Sequence, residues 1–202
     1  MLSLKKVAIT GGLSCGKSMV CRIFEELGAY VVSADNIVHH LLNSDANLCH
    51  KIVELLGPEV LVSNQIDRKQ IAKIVFPNRS LLLKLEELIH PLVYKEIDQE
   101  YIRQRQSQSP FPLFIVEIPL LFESREKGNF DKVIVVTAPL DLQFERFKKN
   151  TGYGRKEFED RIARQYPLKE KAIRADYVIT NDGTLQDLRK TTKKLYEELI
   201  NS

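Results

Sequence analysis

Cysteine is scarce in this chain: Cys15, Cys21 and Cys49 are odd in number, form no C-x-x-C pair, and sit in segments that read as a glycine-rich loop or as helix. A disulfide framework is excluded, and a reducing compartment is implied. Long apolar runs are missing too. No stretch approaches the length that spans a bilayer, and no apolar signal core precedes the first strand, so a membrane partner is not expected and the location reads as cytoplasmic. Charge of one sign is also lacking, with 30 basic against 27 acidic residues and a net +3. Without a polybasic tail or basic stripe, nucleic acid is not expected, whereas a mild basic excess suits a small polyanionic ligand. No internal repeat or low-complexity segment occurs. What is present, 202 residues with 44% hydrophobic content, fits one domain with insertions and a sizeable core.

The informative stretch is Gly11-Gly12-Leu13-Ser14-Cys15-Gly16-Lys17-Ser18, an ungapped match to G-x-x-x-x-G-K-[ST]. An apolar, β-branched run, Leu4 to Thr10, precedes it, and Val20, Ile23, Phe24 and Leu27 follow at helical spacing. Strand, glycine turn and helix are the order a phosphate loop needs. The turn aims backbone N–H groups inward, and the helix N-terminus adds partial positive charge. Lys17 would reach the outer phosphates and Ser18 would ligate magnesium.

Further along, Gly28 suits the end of the first helix and Tyr30–Ser33 reads as a second strand. Asp35 follows at its carboxyl end, where α/β sheets bind ligands. Two readings stand for it: a carboxylate in the ligand crevice, or an N-cap of the helix carrying Ile37, Val38, Leu41 and Leu42. Residues 36–108 read as mostly helical, with a break at Gly57-Pro58 and a polar turn at Ser63-Asn64-Gln65, and so form a cap or substrate-binding insertion. Within it Arg68 and His90 are candidates to contact an anion. Arg68 also reads as a solvated helix start beside Asp67, and His90 as a residue stopping a helix before Pro91.

Phe111–Ile118 is a third buried strand, and Glu117 near its end is placed to help hold magnesium, or else is a polar residue on a partly exposed strand. Asp131–Thr137 and Asp176–Thr180 are two more strands, with a helix opened by Pro139 between them and an amphipathic helix after Asn181-Asp182-Gly183. The segment 146–174 carries ten basic side chains, among them Arg146, Lys149 and Arg155, around the Gly152-Tyr153-Gly154 break, and reads as a lid closing over phosphates or as a solvated helical hairpin. The pattern predicts an α/β fold: a three-layer α/β/α P-loop kinase with a five-stranded parallel sheet, a helical insertion (36–108) and a helical lid (146–174) on a core of 1–35, 109–145 and 175–202.

The ordered set Thr10-Gly11-Gly12, Ala34-Asp35, Arg68 with Ile74-Val75-Phe76, Leu85-Glu86, His90-Pro91, Pro119-Leu120-Leu121-Phe122-Glu123 and Ala175 to Ile179 with Asn181 and Gly183 resembles the dephospho-coenzyme A kinase family over nearly the whole chain. The resemblance implies magnesium-dependent transfer of the γ-phosphoryl group of ATP to the ribose 3′-hydroxyl of dephospho-coenzyme A. It implies ATP binding by Gly12, Leu13, Ser14, Cys15, Gly16, Lys17, Ser18 and Met19, with Arg146, Arg155 and Asn181. Asp35 would take the proton from, or orient, the attacking hydroxyl. Arg68, His90, Pro91, Leu120, Leu121 and Glu123 would line the acceptor side, and Ser18 with Glu117 the metal.

Met19 stands where the family more often has Thr, and Asn150 about where it places a lid arginine, so Arg155, or else Lys149, is expected to substitute. Cys15 reads first as a small residue filling the loop, although at a helix N-terminus beside Lys17 it also has grounds to ionise readily. Another P-loop small-molecule kinase, or a nucleotide-binding module without transfer activity, are the alternatives. A GTP switch is disfavoured, since no N-K-x-D signature follows a late strand.

Overall fold

The computed structural model describes residues 4–108, 111–124 and 128–201. Residue 109, where the core is expected to resume, lies outside them. The chain forms two compact units, one of residues 1–33 and 101–202, the other of residues 34–100.

In the first unit β1 (Lys5–Gly11), β2 (Tyr30–Ser33), β5 (Leu113–Glu117), β6 (Lys132–Thr137) and β7 (Tyr177–Thr180) make one sheet in the order β2-β5-β1-β6-β7. Every neighbouring pair is parallel, as the alternation of strands and helices predicts. Val7, Ala8 and Ile9 of β1, and Leu113 to Val116 of β5, are fully buried, which is why these strands read as unbroken apolar runs. Helix α1 (Lys17–Glu26) and helix α9 (Leu185–Asn201) pack on the sheet through Val20, Ile23, Phe24, Leu188, Leu195 and Leu199.

Helix α1 ends as its sequence predicts: Gly28 N–H donates to the Glu25 carbonyl and Ala29 N–H to that of Phe24, the paired bonds of a Schellman cap. Because β1 lies mid-sheet, with β5 and β2 on one side of it and β6 and β7 on the other, the crevice at its carboxyl end falls where the strand order reverses. Helices α6 (Leu140–Thr151), α7 (Arg155–Ile162) and α8 (Leu168–Ile173) follow β6. Phe158 of α7 is fully buried against Phe144 and Phe147 of α6.

The second unit holds α2 (Ala34–Ser44), α3 (Ala46–Leu56), a 3-10 turn (Pro58–Val60), α4 (Arg68–Val75) and most of α5 (Arg79–Arg105). Asp45 caps α3 by accepting from Leu48 N–H, and Asp67 caps α4 by accepting from Lys69 and Gln70 N–H. The polar turn is a tight hairpin: β3 (Leu61–Val62) pairs with β4 (Gln65–Ile66) through Ser63 and Asn64, both at positive φ, so Gln65 belongs to a strand. Helix α5 runs unbroken through Pro91, and the reading of His90 as a helix stop is corrected. Leu85, Ile89, Val93 and Ile97 give it one continuous buried stripe, and that packing outweighs the hydrogen bond that Pro91 cannot donate.

Candidate active site

The glycine loop joins β1 to α1. Gly16, the N-cap of α1, sits at φ 95°, and a Cβ there would lie 2.3 Å from Asn181 Nδ2. Gly11, at φ 150°, would place a Cβ 2.1 Å from the Val136 carbonyl oxygen of the neighbouring strand. Both positions exclude a side chain, by conformation and by space.

Asn181, just beyond β7, is buried and clamps the loop: its Nδ2 donates to the Cys15 carbonyl at 2.9 Å. Arg146 of α6 donates from Nη2 to the Asn181 carbonyl and to its Oδ1, at 3.1 and 3.4 Å. The other terminal nitrogen of Arg146, Nη1, is buried with no hydrogen-bond partner among the described residues. It is a donor left for an acceptor that no described residue supplies.

Beside the loop lies a cleft of about 420 Å³ lined by Ser14, Gly16, Lys17, Ser18, Met19, Arg146, Lys149 and Asn150. Three cations and no carboxylate face it, at the N-terminus of a helix. Such a cleft favours a polyanion. Lys17 Nζ donates to the Gly12 carbonyl at 2.8 Å. Ser18 Oγ donates to Glu117 Oε1 at 2.8 Å, bringing the two residues expected at a metal within direct contact. Two hard oxygen donors at a phosphate loop fit magnesium. Among the described residues no three His, Cys, Asp or Glu side chains group as a metal site of their own.

Several expected residues stand elsewhere. Cys15 is fully buried, and burial pushes its thiol up, outweighing the neighbouring charge of Lys17; this fits the small residue filling the loop and not the readily ionised thiol. Arg155 does not line the cleft: it lies 3.7 Å from Asp141 and stacks 4.4 Å above the Phe144 ring. Lys149 and Asn150 occupy the wall instead. Leu13 is half-buried within the loop. Leu121 is buried in the core while Leu120 is 43% exposed, so only Leu120 offers surface to a ligand. Glu123 is taken up by Lys171 Nζ, at 2.6 Å, and by the Tyr166 N–H.

The remaining candidates belong to the second unit. Asp35 is the second residue of α2, exposed and inside its first turn, so the N-cap reading is overturned. Arg68 opens α4 and is exposed. His90 is half-buried in α5, and Pro91 lines a cleft of about 250 Å³ with Asp45, Leu48, Lys51, Glu87 and Leu88. The buried Lys171 escaped the sequence reading altogether, because in Leu168-Lys169-Glu170-Lys171 nothing local separates an interior lysine from a solvated one.

Comparison with known proteins gives the family. The family model for dephospho-CoA kinase matches residues 5–187. A dephospho-CoA kinase of Protochlamydia amoebophila is 55% identical over 98% of both chains. Among solved structures, a protein of Thermus thermophilus shares 32% identity at a TM-score of 0.81, covering 97% of this chain and 98% of its own. A dephospho-CoA kinase of Campylobacter jejuni shares 30% identity at 0.69, covering 97% of each. With a phosphate loop braced from β7, a cationic cleft beside it and this breadth of similarity, the chain belongs to the dephospho-CoA kinase family.

Proposed function

We propose that the protein transfers the γ-phosphoryl group of ATP to the ribose 3′-hydroxyl of dephospho-coenzyme A, releasing coenzyme A and ADP. The observation that carries the reading is the cleft at the start of α1, where Lys17, Arg146 and Lys149 converge on a site without a facing carboxylate. The loop and the α1 N-terminus hold the β- and γ-phosphates, and Arg146 turns its spare nitrogen toward them. Lys17 exchanges the Gly12 carbonyl for a phosphate oxygen.

Negative charge spreads over the transferring group in the transition state, and Lys17 with Lys149 offsets it. Lys149 takes the place at which Asn150 offers no charge, while Arg155 keeps α6 and α7 together. Ser18 and Glu117 would hold magnesium, which would supply positive charge to offset the negative charge of the phosphates. Asp35 accepts the proton of, or orients, the attacking hydroxyl. Arg68, His90, Pro91 and Leu120 receive the acceptor, and residues 146–174 act as the lid. The reaction needs no partner macromolecule and suits the cytoplasm, where ATP is plentiful. No helix among the described residues is long and apolar enough to cross a membrane.

The test is magnesium-dependent ATP consumption with dephospho-coenzyme A as acceptor, set beside adenosine, AMP and shikimate. Product formed from dephospho-coenzyme A alone, with a loss of about 100-fold or more in Asp35→Asn, supports substrate and base together. Transfer to a different acceptor overturns the substrate.

A further inference from the structure

The ammonium of Lys171 is fully buried and lies 2.6 Å from Glu123 Oε1, the oxygen that also accepts the Tyr166 N–H at 2.9 Å. The contact is a close ion pair rather than an aligned hydrogen bond: neither Lys171 Nζ nor Glu123 Oε2 has a hydrogen-bond partner among the described residues. Burying such a pair costs more than packing two apolar side chains would, so holding α8 in place does not by itself call for it.

Its surroundings supply a purpose. Leu168, one turn before Lys171, sits against the phosphate loop, its Cδ2 3.2 Å from where a Gly12 Cβ would be. Arg174, one turn after, donates to the Tyr166 hydroxyl at 2.6 Å and stacks on its ring. On the other side, the segment bearing Glu123 leaves β5 just past Glu117, the partner of Ser18, and its Pro119 carbonyl accepts the Thr10 hydroxyl at 3.1 Å. The contacts close a ring: Gly12 to Leu168, Lys171 to Glu123, back through Pro119 to Thr10 of β1.

We propose that Glu123 and Lys171 are a positioning pair for the phosphate loop, fixing α8 as its rear wall, and that Glu123 serves the nucleotide side of the reaction rather than the acceptor. Two consequences follow. Within the 146–174 lid, helix α8 is then the fixed part, and the part that closes narrows to the end of α6, the 152–154 turn and α7. Loss of either charge loosens Gly12 without removing any group that touches ATP.

The proposal rests on the reading of this loop as the ATP site, and its decisive arm needs no acceptor. Glu123→Gln, Lys171→Met and the double variant of the full chain are compared for binding of a fluorescent ATP analogue, with thermal melting to confirm folding. The KM for each substrate and kcat are then measured. Each single variant is expected to bind the analogue about 10-fold more weakly and to lose up to about 100-fold in kcat, the scale of a misplaced reacting group, with the dephospho-coenzyme A KM unchanged. The double variant should be no worse than Lys171→Met alone, since members of one pair do not add. Glu123→Gln keeps shape and volume, so it decides the matter even if Lys171→Met fails to fold. A raised acceptor KM with intact analogue binding would make Glu123 an acceptor ligand and overturn the proposal, as would additive losses in the double variant. Failure of the acceptor itself would leave the binding arm readable.

Discussion

Replacing Asn181 by alanine separates two roles that one residue could have near a bound nucleotide. The side chain is buried and its Nδ2 is the donor to the Cys15 carbonyl at 2.9 Å, while the backbone carbonyl of residue 181 keeps its own bond from Arg146. Alanine therefore leaves a buried loop carbonyl unpaired, at a cost of about 1–3 kcal/mol. For a chain of this length each kcal/mol lowers the melting temperature by about 2–4 °C, so calorimetry should find a drop of roughly 2–12 °C. A phosphate loop released by that amount binds its ligand roughly 5- to 150-fold more weakly. The assay is titration with ATP and, in parallel, with inorganic tripolyphosphate, which has the phosphates and no base. If Asn181 acts through the loop, both affinities fall by a similar factor. An unchanged tripolyphosphate affinity beside a weakened ATP affinity would refute the reasoning and put Asn181 against the adenine instead.

The contact of Ser18 with Glu117 leads us to expect that Glu117→Gln raises the magnesium concentration needed for half-maximal turnover several-fold, with ATP binding in EDTA unaltered; equal weakening in EDTA would count against a metal role. Lys149→Ala should lower kcat by about 10²-fold or more, and Arg155→Ala, which loses an exposed ion pair and a ring contact, should cost far less. The reverse ranking would put Arg155 at the γ-phosphate. Burial holds the Cys15 and Cys21 thiols protonated above their ordinary value of 9.0, Cys21 the more strongly. The unfolded chain therefore gives up these protons first, so stability is whole below 9.0 and declines, by at most about 1.4 kcal/mol per thiol per pH unit, as the pH climbs toward the folded values. Urea melts between pH 8 and about 10 should lose that slope in a Cys15→Ala, Cys21→Ala variant; a slope that persists would place its origin elsewhere.

The elements best read from sequence are those whose signals are local. Tyr30–Ser33 is a strand with the expected bounds because a helix cap precedes it and a helix follows, and the phosphate loop is contiguous, so its neighbours are its own chain. Strand β5 is shorter than the apolar run suggested: Phe111 and Pro112 stay outside the ladder, to which Pro112 could donate no N–H. The hairpin of β3 and β4 hid because each strand has two residues, too few for a period.

Where the site reading went astray, tertiary burial had overruled a local rule. A cysteine at a helix N-terminus ionises readily only if water reaches it, and Cys15 is sealed by the packing around Gly12. Lid arginines form one charged set in sequence, yet Arg155 is drawn to Asp141 and Phe144 while Lys149 faces the cleft. Glu123 finds its partner in another element, a pairing that no spacing within Pro119–Glu123 encodes.

The bond from Asn181 to Cys15 spans 166 positions, and Lys5, at the start of β1, donates to the Leu199 carbonyl, 194 positions away. A chain emerging from the ribosome has made its phosphate loop long before it acquires the residue, 166 positions later, that braces it. Contacts of such separation form late, after a large loop-closure cost. A chain not yet extended to Asn181 thus has the motif without the rigidity, and the competence to grip a triphosphate arrives only with that residue. Truncation by even a couple of dozen residues from the C-terminus should therefore silence nucleotide binding while leaving every residue of the loop in place.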